Sequence, residues 1–250
     1  MEFLVWVYTI LAVVVVSLVS LLGVLFLSLR KEKLERILLY LVGFSVGGLL
    51  GDVFLHLLPQ AIKQTGTDTR FFFFILIGIL TFFLLEKFVR WRHCHNPISK
   101  NHLHPLAVMN LWGDGFHNLL DGMIIAASFL VDVKLGLATF LAVFLHEIPQ
   151  EIGDFGVLLH AGLPVKKALL WNFVSSIAAF VGVFVSLLVG QYLGGYSLFM
   201  ILFAAGGFIY IAGSDLIPEL HHQNEINQAC KQFLAITTGV ALMALLLIWG

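Results

Sequence analysis

Residues 146–154 read His-Glu-Ile-Pro-Gln-Glu-Ile-Gly-Asp and sit in a stretch that is otherwise uncharged from Leu135 to Leu159. At about 100° per residue, His146, Glu147, Gln150, Glu151 and Asp154 fall within about 140° of one another on a helical wheel. A second stripe, Asp114, His117, Asn118 and Asp121, is only about 100° wide. Together the two stripes offer imidazole from His117 and His146, carboxylate from Asp121 and Glu147, and amide oxygen from Asn118 and Gln150. That mixture suits zinc and other first-row divalent ions. Neither Cys94 nor Cys230 is near in sequence, which argues against copper(I) or an iron–sulfur cluster.

The surrounding chain decides what these residues face. It has 250 residues, 60% apolar and 12% charged, with a mean hydropathy of +0.98. A soluble domain carries about 25% charged residues, so this is an integral membrane protein. An uncompensated carboxylate in a membrane helix costs about 2.5–3.5 kcal/mol. A polar contact between two such helices returns only about 0.6 kcal/mol. Two facing stripes with several carboxylates therefore point to a cation between them rather than to simple helix pairing.

Eight apolar stretches are long enough to span: roughly 3–28, 37–60, 70–90, 105–130, 134–160, 166–190, 195–218 and 231–249. They account for the whole chain as one transport domain, 1–250, with no room for a separate soluble domain. The fold expected is all-α, and spans four and five, joined by a short connection, should meet at mid-depth. With the N-terminus outside, the inner loops hold eleven Lys and Arg and the outer loops only Lys63, Arg70 and Lys134. That places both termini on the non-cytoplasmic side. The first stretch has its basic cluster after it, not before it, and is too long for a cleavable signal peptide.

Gly47-Gly48 precedes His56-Leu-Leu-Pro-Gln60 at the spacing with which Gly206-Gly207 precedes Asp215-Leu-Ile-Pro-Glu219. Spans two and seven would run in opposite directions, so the match reads as an inverted repeat. Asp52 and His56, one turn apart near the outer end of span two, could admit a cation. Asp215, Glu219 and His222 could release it at the inner end of span seven, with Asp114 and Asp154 lining the exit. The inner loop 91–104 carries His93, His95, His102 and His104, which either collect metal or are simply solvated. A net charge of −1 and the lack of a basic patch with interleaved aromatics give no sign of a nucleic-acid partner.

At these residues the chain resembles the ZIP (Zrt/Irt-like protein) family of divalent-metal transporters over nearly its whole length. His117-Asn-Leu-Leu-Asp-Gly122 is similar to the family's fourth-span pattern H-N-x-x-[DE]-G. His146 to Asp154 is similar to the fifth-span pattern H-E-x-P-H-E-x-G-D of its histidine-rich subfamily. The resemblance implies eight spans in a 3+2+3 arrangement and a binuclear midplane site. His117, His146 and Gln150 would serve the first position, and Asn118, Glu147 and Asp121 the second, with some ligands shared and Asn172 and Glu151 in the metal set. It implies zinc as cargo, with no other cofactor, moved toward the cytoplasm. The plasma membrane is the default location, endomembranes remain open, and a homodimer fits the family habit. Gln150 departs from the pattern where the subfamily has a second histidine, which opens metal choice to iron, manganese or cadmium.

Two rivals share parts of this pattern. An intramembrane zinc hydrolase would want H-E-x-x-H, but Gln150 replaces the second histidine and Pro149 distorts the helix. A metal-gated channel or sensor would use every ligand named. No G-x-x-x-x-G-K-[ST] motif suggests that ATP drives the process.

Overall fold

The computed structural model describes residues 2–23, 31–66, 68–91, 105–190, 192–221 and 226–248. The loop histidines His93, His95, His102 and His104, together with Cys94 and His222, lie outside the described residues. Among those described there is no strand, and the helices follow one another as eight rods. Rod one is α1 (Glu2–Val19). Rod two is α2 (Lys31–Asp52), a π turn (Val53–Leu57) and α3 (Leu58–Thr65). Rod three is α4 (Phe73–Trp91), opened by a 3-10 turn (Thr69–Phe72). Rods four and five are α5 (Pro105–Val131) and α6 (Val133–His160). Rod six is α7 (Val165–Ser176) followed by α8 (Ala178–Val189). Rod seven is α9 (Tyr196–Tyr210), a π turn (Ile211–Leu216) and α10 (Ile217–Leu220); rod eight is α11 (Ile226–Ile248).

Among the described residues, five segments are long and apolar enough to cross a membrane: Tyr40–Thr65, Thr69–Lys87, Val165–Val189, Tyr196–Ser214 and Ile226–Ile248. At 27 and 28 residues, α5 and α6 are longer than any of these, and they are the two that carry the polar stripes. Large apolar side chains such as Phe3, Leu80, Leu84, Trp112 and Ile248 face outward. Several acidic and amide side chains, Asp52, Asp121, Glu147 and Asn172 among them, face inward. This inversion of the soluble pattern fits a protein whose outer solvent is lipid. The chain is an all-helical polytopic membrane protein.

The packing has an internal order. Rod two packs on rod eight and rod three on rod seven; rod four packs on rod six and rod five on rod one; rods four and five pack on each other. Rod two also touches rod five, and rod seven touches rod four. Exchange one with six, two with seven, three with eight and four with five, and the same set of contacts returns. The two π turns obey the same exchange. Each lies just before a proline, Pro59 or Pro218, whose nitrogen cannot donate to the carbonyl four residues back. A widened turn re-registers the helix around that missing bond.

Glycine sets the matching crossings. A Cβ on Gly47 would lie 2.0 Å from the Ile236 carbonyl oxygen, and one on Gly206 would lie 2.0 Å from that of Ile75. Their partners Gly239 and Gly78 would meet the carbonyls of Phe44 and Phe203 at 2.3 and 2.2 Å. In both crossings backbone meets backbone, which only glycine permits.

Between α5 and α6 stands one residue, Asp132, whose carboxylate accepts from the Lys134 N–H at 2.7 Å and caps α6. The two helices are thus the arms of a tight antiparallel hairpin. His117 and Asn118 lie 15 and 14 residues before the turn, and His146 and Glu147 lie 14 and 15 after it. Equal arms at about 1.5 Å per residue bring them to the same depth, roughly 20 Å from the turn.

Candidate metal centre

His117 and Asp121 on α5 meet His146 and Glu147 on α6 in one cluster, with one ligand atom of each within 4.8 Å of all the others. His146 Nε2 is 3.1 Å from His117 Nε2, 3.3 Å from Asp121 Oδ2 and 3.7 Å from Glu147 Oε1. His117 Nε2 is 3.4 Å from Glu147 Oε1 and 3.6 Å from Asp121 Oδ2. Four ligands around a tetrahedral zinc at about 2.0–2.1 Å are separated from one another by about 3.3–3.4 Å. The five measured edges cluster around that value. Two nitrogens and two carboxylate oxygens form a borderline donor set, softer than the all-oxygen sites of magnesium or calcium.

His146 Nδ1 is 3.1 Å from the Ala142 carbonyl oxygen, one turn back on the same helix. A carbonyl only accepts, so Nδ1 carries the proton and Nε2 presents its lone pair to the cluster. This is the usual way in which a ligating histidine is oriented. Asp121, His146 and Glu147 are fully buried or nearly so, and His117 is half-buried with the Phe82 ring edge-on to it. Neither oxygen of Asp121 nor of Glu147 has a hydrogen-bond donor among the described residues. Buried acceptors without donors need a proton or a cation.

A second polar group adjoins the first. The Asn118 amide donates to Asp114 Oδ1 at 2.8 Å, and the Asn172 amide donates to Glu151 Oε2 at 2.6 Å. Ser175 donates to the other oxygen of Asp114. Asn172 also donates to the Ser20 carbonyl at 3.2 Å, which ties α7 to the end of rod one. Because both amide nitrogens are committed, the free atoms are oxygens: Asn118 Oδ1, Asn172 Oδ1 and Glu151 Oε1, all buried and without a donor. Glu147 is close enough to act electrostatically on both Asp114 and Glu151. The second group is thus an all-oxygen set beside a mixed one.

Gln150 is half-buried on α6, one turn from His146, and Asp154 is half-buried a further turn along. Asp52 is fully buried beside Thr139 of α6, whereas His56 Nε2 donates to the Met243 carbonyl of α11 at 3.0 Å. The two residues that begin as an entrance pair thus engage different neighbours. Asp114 accepts from Asn118 and Ser175. The side chains of Asp215 and Glu219 lie outside what is described, as does His222. Sequence reading missed Ser175. Its signal was its place three residues after Asn172, on the same helical face.

A bundle of apolar helices with a two-helix, two-histidine, two-carboxylate cluster at its core defines a polytopic membrane protein with a candidate metal centre. The family model described as ZIP Zinc transporter matches residues 3–106 and 93–247, so the chain belongs to that family. Among its relatives, Zinc transporter zipt-7.2 of Caenorhabditis elegans is 31% identical over 98% of this chain and 66% of its own length. Zinc transporter YKE4 of Saccharomyces cerevisiae is 30% identical over 95% of this chain and 79% of its own. Zinc transporter ZIP10 of Homo sapiens is 35% identical over 64% of this chain, but the match takes in only 22% of that protein.

Proposed function

We propose that this chain carries divalent metal ions, zinc first among them, across a membrane into the cytoplasm through the centre shared by α5 and α6. The observation that carries the reading is the cluster of His117, Asp121, His146 and Glu147, buried at equal depth in two apolar helices with near-tetrahedral ligand spacing. Glu147 links it to the oxygen-rich group of Asn118, Glu151 and Asn172, which makes a second metal position. Gln150 beside the centre leaves iron, manganese and cadmium as competing cargo, since an amide oxygen favours zinc less than imidazole does. Kinship with proteins named as zinc transporters supports the same reading.

The excess of Lys and Arg in alternate loops supports an orientation with both termini on the non-cytoplasmic side. We assign the protein to the plasma membrane, with an endomembrane as the alternative, and a homodimer as its assembly. Uptake of radiolabelled zinc by liposomes that contain the purified protein tests the function. Uptake is expected for the unaltered protein and is lost in His117→Ala and in His146→Ala. Equal uptake by both variants would remove the site from the pathway, and no uptake of any divalent ion would overturn the reading.

A further inference from the structure

The ligand-bearing turn of α6 contains a proline. Pro149 follows His146 and Glu147 and has no N–H to give to the carbonyl of Leu145, four residues back. That carbonyl immediately precedes His146, so whatever satisfies it also fixes the turn from which His146 and Glu147 project. The Ser45 hydroxyl on α2 lies 2.6 Å from the Leu145 oxygen. Ser45 is buried at 1% exposure, shut off from bulk water. Three residues further along α2, a Cβ on Gly48 would stand only 3.0 Å from the Leu145 side chain, so the two helices are close-packed at this level.

We propose that Ser45 is a positioning residue for the metal centre, whose hydroxyl replaces the backbone donor that Pro149 removes and so sets the turn carrying His146 and Glu147. The internal symmetry of the fold supplies a control. The same separation that relates Gly47 to Gly206 relates Ser45 to Ala204 on α9, which is likewise fully buried. Rod seven packs on α5, and α5 has no proline after Pro105 at its start. The hydroxyl occurs where a neighbouring helix lacks a donor, and a methyl occurs at the related place where the neighbour lacks none. The arrangement is also one-sided. Ser45 has a second acceptor in its own helix, the Leu41 carbonyl at 2.8 Å. If the helices part, the hydroxyl can turn its one proton to Leu41 within α2, whereas α6 loses the bond that replaced its missing donor.

The test uses the full chain in lipid nanodiscs, free of metal, and follows amide hydrogen exchange over residues 146–152. Ser45→Val should raise exchange there about tenfold, while Ser45→Thr, which has the same shape but keeps the hydroxyl, should stay within about twofold of the unaltered protein. Pro149→Ala restores an N–H for Leu145, so on that background Ser45→Val should change exchange by less than about twofold. An equal effect of Ser45→Val on both backgrounds, or equal exchange for the Thr and Val variants, would overturn the proposal. Should Pro149→Ala fail to fold, the Thr and Val pair decides alone. Zinc affinity from chelator competition should fall about fivefold in Ser45→Val only. This last arm rests on the transport site; if the unaltered protein binds no zinc, that site reading fails while exchange still decides the role of Ser45.

Discussion

The central hairpin and the outer crossings hold together in opposite ways. Where α2 crosses α11, and where α9 crosses α4, glycines let one backbone press against the other with no side chain between them. Where α5 meets α6 at mid-depth, the contact is made of imidazoles and carboxylates whose oxygens lack donors. The first kind of contact gains dispersion energy from close approach and leaves nothing unsatisfied. The second is unfavourable by itself and becomes favourable when a cation enters. Stability and function are therefore carried by different kinds of contact, and substitutions should separate them.

The largest separation should come from the ligands. His146→Ala or Glu147→Ala should lower zinc affinity at least about a hundredfold, since loss of even an outer partner of a ligand costs about 10–100-fold. Glu147→Ala should also melt at or above the temperature of the unaltered metal-free protein, because it removes a buried carboxylate that has no donor. A large drop in melting temperature with affinity intact would reverse the comparison. The opposite pattern is expected at the glycines. Gly47→Val and Gly206→Val should each cost at least about 3 kcal/mol in denaturant unfolding, since a Cβ there meets a carbonyl oxygen at 2.0 Å. Zinc affinity per folded molecule should stay within about twofold. Gly153→Ala is the control: nothing lies within 4 Å of its added Cβ, and replacing a helical glycine should gain up to about 1 kcal/mol. If Gly47→Val and Gly206→Val differ widely in cost, the pseudo-symmetry of the two crossings is only nominal.

The same contrast explains what could be read from the chain beforehand. The hairpin was legible because charge in an apolar run is rare and the helical period assigns each residue a face. His117, Asp121, His146 and Glu147 follow from those two facts with a short connection between their helices. The all-helical fold followed from hydropathy, and the repeat between rods two and seven from two glycines and a proline at equal spacing. Ser175 and Ser45 were not legible. Serine is common in membrane helices, and its role depends on which rod lies opposite. The packing of α2 on α6 and of α7 on α5 carries no mark in the sequence of either helix. The division of Asp52 from His56 was hidden for the same reason, since one turn of separation says they share a face but not that α6 takes one and α11 the other.

Within the centre a smaller effect distinguishes the mixed group from the oxygen-rich one. Asn172→Ala removes a free amide oxygen and the donor that holds Glu151, and leaves His117, His146, Asp121 and Glu147 untouched. Bound metal should fall from two ions per chain to one by equilibrium dialysis, with the tighter zinc retained. Loss of both ions would mean that the two groups act as one site, and the contrast between them would have to be withdrawn.

The smallest effect belongs to Gln150, half-buried one turn from His146. An amide oxygen beside the centre is a harder and weaker ligand than imidazole, so it costs zinc affinity while costing manganese little. Gln150→His should therefore tighten zinc binding by about tenfold and leave manganese within about twofold, as measured by competition against a cobalt-loaded protein. Tighter binding should slow release, so single-turnover zinc efflux from proteoliposomes should be slower in the variant. Faster efflux with weaker binding would mean that Gln150 lies off the zinc path, and that His117, His146, Asp121 and Glu147 set metal choice without it.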